Sequence, residues 1–316
     1  MSTTHGTLVI LGASGFLGRH VTQEALKTGW KVKALARSED SARSVSDLGA
    51  TTFLGDADRP NQWIREVEGA HAIIDLVQPR FPPRIGLKLV QAVSVRRQSF
   101  ARGLVSALGS LKGDRVPLLI SVSGIDDLAP DKDGYLSAHS PLRAQAYGFN
   151  RIGIPVRRVI EQSKVKAAFA CLGTVYGPGK GFASAIFPQI AKGKWRNFGN
   201  RMAVIHVEDA ARGLIHVAES VSRPVAGNSF VLTDDCPVEM QAFFGFSASC
   251  MGVPAPGRIP MWLASLFAGR TLVESILCDV PIHSSIPSFR DFQLRYPTYR
   301  EGIPATLAQL GYVRAT

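Results

Sequence analysis

Leu8-Val9-Ile10-Leu11-Gly12-Ala13-Ser14-Gly15-Phe16-Leu17-Gly18 is the stretch on which the reading of the whole chain turns. Residues 8–11 form a short apolar run without polar alternation, the pattern of a strand buried on both faces. Glycines follow at 12, 15 and 18, and a helical pattern through Phe16, Leu17, Val21, Ala25 and Leu26 ends at Gly29. Strand, glycine turn and helix in this order are the context that gives a glycine motif meaning. Glycine is needed where the backbone turns sharply and approaches a pyrophosphate, which then meets free N–H groups and the positive end of the helix dipole. Gly12, Ser14, Gly15, Phe16, Leu17 and Gly18 are therefore the expected phosphate-side contacts of a dinucleotide. The plain alternative is an ordinary strand-to-helix turn.

Working outward, residues 30–37 read as a second parallel strand, ending in Arg37-Ser38 before the first acid, Glu39. An acid at that point would bind ribose hydroxyls, whereas a guanidinium and a hydroxyl accommodate a 2′-phosphate. Arg37 and Ser38 thus favour NADP(H) over NAD(H). Residues 40–48 read as a helix and 51–54 as a third strand, followed by Asp56-Ala57. Asp56 is placed to accept from the adenine amino group or to cap the segment from Pro60, with Ala57 beside it. Residues 70–77 and 116–122 give two more strands, ending at Gln78-Pro79-Arg80 and Ser123-Gly124, with a long helix-capable stretch over 83–112 between them. Five strands alternating with helices predict a doubly wound, Rossmann-type parallel sheet of the α/β class, whose ligands collect at the carboxyl ends of its strands. The glycine turn, Arg37, Asp56, Gln78 and Ser123 all fall there.

The bulk properties fit that picture. The 316 residues are 46% hydrophobic and 19% charged, a globular composition with ample core. The net charge of +11 comes from scattered Lys and Arg with no aromatic-interleaved basic block, which argues against nucleic acid as a partner. Cysteines 171, 236, 250 and 278 have no Cys-x-x-Cys spacing and no pairing with histidines, so reduced thiols in a cytoplasmic protein and no metal are expected. No apolar run approaches the roughly 20 residues of a membrane span, and the N-terminal apolar stretch lacks the basic leader of a signal peptide.

The glycine spacing Gly-x-x-Gly-x-x-Gly, Asp56, Ser123, Val175-Tyr176-Gly177-Pro178-Gly179, His206-Val207-Glu208-Asp209-Ala210-Ala211 and the tail Tyr296-Pro297-Thr298-Tyr299-Arg300-Glu301-Gly302 occur in the order of a known group. Together they resemble the extended or atypical short-chain dehydrogenase/reductases, the NAD-dependent epimerase/dehydratase-like family. The resemblance implies a Ser or Thr that orients a substrate oxygen, and a Tyr-x-x-x-Lys whose phenol moves a proton while the lysine lowers its pKa. Ser123 fits the serine position. No Tyr-x-x-x-Lys occurs between it and the Val175–Gly179 segment, where the resemblance places the pair. In one placement Tyr147 and Arg151 supply the pair, with arginine for lysine. In the other, counting back from the Val-Tyr-Gly-Pro-Gly segment through Glu161, Arg157 takes the lysine position and Gly153 stands where the phenol should be. Tyr135 and His139 are spare proton-transfer candidates in a polar loop, and Tyr176 shapes a turn passing the nicotinamide end by resemblance.

Residues 167–172 read as a further strand and 228–232 as another, while His206 and Asp209 read as a strand-end structural residue and a helix cap. Residues 1–178, with 202–233 returning, form the expected dinucleotide domain, and 179–201 with 234–316 a smaller substrate lobe. Phe182, Phe187 and Trp195 open that lobe. The run from Met261 to Phe267 is apolar enough to touch a partner or membrane but reads as core or pocket wall. The resemblance implies NADP-dependent hydride transfer at a carbonyl or alcohol carbon of a small or medium organic substrate, such as a secondary metabolite, with a homodimer left open. The alternatives are a sugar-nucleotide epimerase or dehydratase, using Lys192, Lys194, Arg196 and Arg201, and a non-catalytic NADP-binding sensor or assembly protein.

Overall fold

The computed structural model describes residues 5–312 apart from 80, 83–84, 114–115, 200, 221–228, 235–236 and 290. Arg80, Cys236 and Asn228 therefore lie outside the described residues. The first half runs β1 (Thr7–Leu11), α1 (Phe16–Lys27), β2 (Lys31–Ala36), α2 (Glu39–Ser46), β3 (Thr51–Leu54), β4 (Ala72–Asp75), α3 (Leu87–Gly109), β5 (Leu118–Gly124) and α4 (Asn150–Glu161). The second half runs β6 (Ala167–Leu172), β7 (Thr174–Tyr176), α5 (Phe182–Ala191), β8 (Arg201–Met202), β9 (Val204–His206) and α6 (Val207–Ser220). It ends with β10 (Ser229–Leu232), β11 (Val238–Glu239), α7 (Met240–Cys250), α8 (Met261–Ala268), α9 (Arg270–Ile276) and α10 (Tyr299–Gln309).

Seven strands form one parallel sheet in the order β3-β2-β1-β4-β5-β6-β10, with the direction of winding reversing between β1 and β4. This is the Rossmann-type α/β fold. The alternating side chains of β1 explain its double cover: Leu8 and Ile10 join one core with Val21, Val45 and Leu214, whereas Val9 and Leu11 join the other with Trp63, Leu104 and Val156. Helices α1, α2 and α6 thus cover one face, and α3 and α4 the other. Each such side chain taken fully from water contributes about 1.5–3 kcal/mol, which is why an uninterrupted apolar run specifies a central strand. The long stretch after β4 becomes helix only from Leu87, after Gly86 in extended conformation.

A third core lies outside the sheet, where Phe187, Phe198, Met202, Phe243, Phe244, Ile303 and Leu307 pack around Tyr176. Asp209, fully buried, ties the tail to α6 by accepting from the backbone N–H groups of Arg295 and Tyr296 and from Arg212. The run from Met261 to Phe267 departs from the core or pocket-wall reading: Ala264 is the one buried residue of α8. No helix among the described residues is long and apolar enough to cross a membrane.

His206, 1% exposed, ends β9 with its ring 4.0 Å from that of Tyr296 and its Nε2 3.3 Å from Thr306 Oγ1. Burial pushes its pKa down from 6.5 to about 4. Between those values the unfolded chain binds a proton that the folded chain refuses, so stability falls as pH drops from 6.5 toward 4, by about 3 kcal/mol from this group. His206→Gln is expected to flatten the acid limb of a urea-midpoint profile by that amount. Identical slopes in the two proteins would mean that His206 is protonated in the fold.

Candidate functional site

The turn after β1 is shaped by what glycine lacks. Gly12 adopts φ +85°, and a Cβ there would stand 2.7 Å from the Leu76 carbonyl oxygen at the end of β4. A Cβ on Gly18 would overlap the Gly12 carbonyl, so α1 can pack onto the turn only with glycine at 18. Gly15 caps α1 without a side-chain hydrogen bond, and no acid stands in the first helical turn. Ser14 and Gly15 are exposed and Phe16 and Leu17 half-buried. The result is an uncapped helix N-terminus above a side-chain-free cradle, which fits a pyrophosphate. The opposite wall is the turn after β7, because Gly179 and Gly181 abut the Phe16 ring and His20 Nε2 lies 3.2 Å from the Pro178 carbonyl oxygen.

Arg37 and Ser38 follow β2 and both are exposed. Ser38 caps α2, its Oγ accepting from the Ser41 N–H, and among the described residues no carboxylate pairs with Arg37. After β3, Asp56 Oδ1 accepts from the Asp58 N–H, and Trp63 donates to the Asp56 carbonyl. The short turn Pro60–Gln62 starts at Arg59 with no side-chain cap, which corrects the capping role considered for Asp56. Ala57 packs on the apolar core. Gln78 is exposed just past β4, whose last residue, Asp75, pairs with Arg97 at 2.7 Å, both side chains nearly sealed from water.

Ser123 and Cys171 stand opposite each other on β5 and β6, Oγ to Sγ 3.8 Å, and burial pushes the Cys171 thiol up to about 12. The turn immediately after β5 carries two carboxyls, Asp126 and Asp127, which the sequence reading passed over. A Cβ on Gly124 would overlap Asp126 Oδ1, and one on Gly153 would overlap both oxygens of Asp127. The space at Gly153, where a phenol was sought, therefore holds the Asp127 carboxyl. Asp127 is 1% exposed and its Oδ2 has no hydrogen-bond partner. Burial and the neighbouring Asp126 raise its pKa well above the carboxylate range, opposed by the nearby Ser123 hydroxyl and the charge of Arg157. Asp126 is raised too, chiefly by burial.

Tyr147 lies ahead of α4, half-buried, with its N–H donating to Asn150 Oδ1. The cation over its ring is Arg143, at 4.9 Å, while the Arg151 carbonyl accepts from Ser94. Burial raises the Tyr147 phenol. Arg157 donates to Glu161 and Ser229 and covers the Phe169 ring at 4.3 Å. Tyr176 is fully buried in the third core with its hydroxyl against Gly302, so in this structure it presents no surface to a ligand. Tyr135 stacks on His283 at 4.2 Å in the loop beyond. Lys192, Lys194, Arg196 and Arg201 are exposed, and Arg196 donates to the carbonyls of its own turn.

The model of the NAD dependent epimerase/dehydratase family matches residues 8–232. Over 96% of this chain and 90% of its own length, a 4-hydroxy-2-methyl-3-oxo-4-farnesyl-3,4-dihydroquinoline-1-oxide ketoreductase from Stigmatella aurantiaca is 24% identical. The photosystem II assembly factor Ycf39 of Cyanophora paradoxa is 28% identical over 36% of this chain and 38% of its own. The crystal structure of a human epimerase family protein, SDR39U1, with NADPH superposes with a TM-score of 0.75 at 16% identity, covering 95% of this chain and 98% of that one.

Titration of NADPH and NADH into the purified protein tests the cradle. Gly18→Ala is expected to weaken both at least tenfold, and Arg37→Ala to weaken NADPH alone. Equal loss of both nucleotides in Arg37→Ala would remove Arg37 from 2′-phosphate recognition.

Proposed function

Because the chain belongs to the NAD dependent epimerase/dehydratase family, we propose that it is an NADP-dependent reductase acting on a carbonyl of an organic substrate. The observation that carries this reading is the Asp127 carboxyl: buried, seated on Gly153 in the turn that follows the half-buried Ser123, with its pKa raised well above the carboxylate range by burial. Gly12, Ser14, Gly15, Phe16, Leu17 and Gly18 would hold the pyrophosphate, Arg37 and Ser38 the 2′-phosphate, with Asp56 and Ala57 at the adenine edge and Gln78 nearer the nicotinamide. The nicotinamide, when bound, supplies a hydride. The lobe built around Phe187 and Phe244 covers the substrate.

In this reading Ser123 binds the substrate oxygen and passes its hydroxyl proton as negative charge grows there. Asp127 returns a proton to Ser123 Oγ in the same movement and is left as a carboxylate facing Arg157. The carboxyl thus fills the need met elsewhere by a phenol, and Arg157 stabilises the anion rather than activating a tyrosine. The likeness to a ketoreductase over nearly the whole chain supports the choice of a ketone. Tyr147 with Arg151 is the competing proton source.

Oxidation of NADPH against a panel of ketones and quinones decides between them. Asp127→Asn is expected to lower kcat by about 10²–10⁴, the usual weight of general acid catalysis, with NADPH affinity unchanged and Tyr147→Phe near wild type. The reverse ranking would transfer the proton to Tyr147. A second reading, a nucleotide-binding assembly protein, draws on the Ycf39 likeness. Tight NADPH binding without turnover on any carbonyl would favour it.

A further inference from the structure

Helix α8 leaves its apolar surface bare. Met261, Trp262, Leu266 and Phe267 are 46%, 67%, 55% and 72% exposed. Leu87, 47% exposed, adjoins them, because the Ile85 N–H donates to the Ala268 carbonyl at 3.3 Å and Gly269 packs on the Ile85 backbone. Only Leu54 and Val95 are further large hydrophobic side chains so exposed among the described residues. A helix this apolar ordinarily lies within a core, and exposed apolar side chains gathered in one place mark a surface that meets something.

Charge identifies what it meets. From Leu76 to Gly113 the chain has seven Lys or Arg and no Asp or Glu, and from Met240 to Val273 two Arg and again no acid. Arg96 and Arg97 turn to Asp58 and Asp75. Lys88, one residue from Leu87, is exposed, as is Arg258 just ahead of α8, which donates to the Gly199 carbonyl, and the Arg270 side chain just after α8 is 84% exposed although paired with Glu274. A second copy of this surface would bring like charges together. An anionic bilayer satisfies both features: apolar side chains enter the acyl boundary, an indole and a phenyl ring sit at headgroup level, and each nearby cation gains from the surface potential.

We infer that α8, with Leu87 and the cations Lys88, Arg258 and Arg270, docks the protein on an anionic lipid surface. The helix lies in the interface plane, since its eight residues reach only about 12 Å. This inference is independent of the reductase reading. Trp262 supplies its own reporter, because Trp30 and Trp63 are 4% and 2% exposed and Trp195 is partly buried.

The test is co-sedimentation of the full chain with phosphatidylglycerol/phosphatidylcholine vesicles and with pure phosphatidylcholine, together with tryptophan emission. Expected are binding and a blue shift with the anionic vesicles, at least tenfold weaker binding to the neutral ones, and weakening in high salt. Phe267→Glu and the double variant Trp262→Glu/Phe267→Glu, whose wild-type side chains are exposed and whose folding thermal melts would check, are expected to lose at least tenfold. No binding to anionic vesicles, equal binding to neutral ones, or variants that bind like wild type would each overturn the inference. So would a wild-type dimer in sedimentation velocity that Phe267→Glu dissolves, since the patch would then join two copies.

Discussion

The turn between β1 and α1 closes because no side chain stands at residue 18: the helix comes down onto the Gly12 carbonyl, and any Cβ would hold it away. Gly12, turned to φ +85°, lies against the Leu76 carbonyl and so fixes the exit of β4 as well. There Leu76 donates to Leu11, while the Asp75 carboxylate accepts from the Val77 N–H and from Arg97 on α3. Breaking a buried pair of that kind from one side costs about 3–5 kcal/mol. Two close approaches and one buried ion pair therefore set the mouth of the glycine cradle, and the rest of the sheet edge is placed relative to it.

A second buried charge problem is solved differently one strand further on. Asp126 and Asp127 sit side by side after β5, where two carboxylates would repel in a medium that solvates neither well. Glycines at 124 and 153 give each carboxyl room, and burial pushes the Asp127 pKa up, toward the neutral form. A neutral carboxyl both stores a proton and avoids the full desolvation penalty of an ion. The same environment that makes the pair tolerable to the fold gives it the chemistry on which the reductase reading rests.

The fold was largely legible in the residue order. Four features carried it: the apolar run at 8–11, the three glycines, the strand at 167–172 and the succession of strand and helix. Each is a local pattern whose physical cause lies within a few residues. The glycine turn and the strand ends of the candidate site were legible for the same reason, since each is contiguous in sequence. Beyond Ser123 the family pattern asks for a tyrosine and a lysine four apart, and Asp126-Asp127, three residues on, belongs to no such motif. The signal was present as an acid pair at the end of a buried strand and a glycine at the phenol's position. Their meeting across 26 residues was not.

The exposed surface of α8 makes the same division from the other side. A run reading Met-Trp-Leu-Ala-Ser-Leu-Phe states that it is apolar, and composition cannot say whether a core or another surface receives it. The residue order of this protein determined which segments are strands and helices, where the glycine turn stands and that no tyrosine and lysine four apart lie between Ser123 and Val175. Those properties follow from backbone freedom and short-range periodicity. Only the tertiary structure decided that Asp127 occupies the space at Gly153, that Tyr176 is sealed in the lobe and that α8 is uncovered. Each of these depends on which distant segments share one volume, and that is fixed by packing rather than by neighbours in the chain.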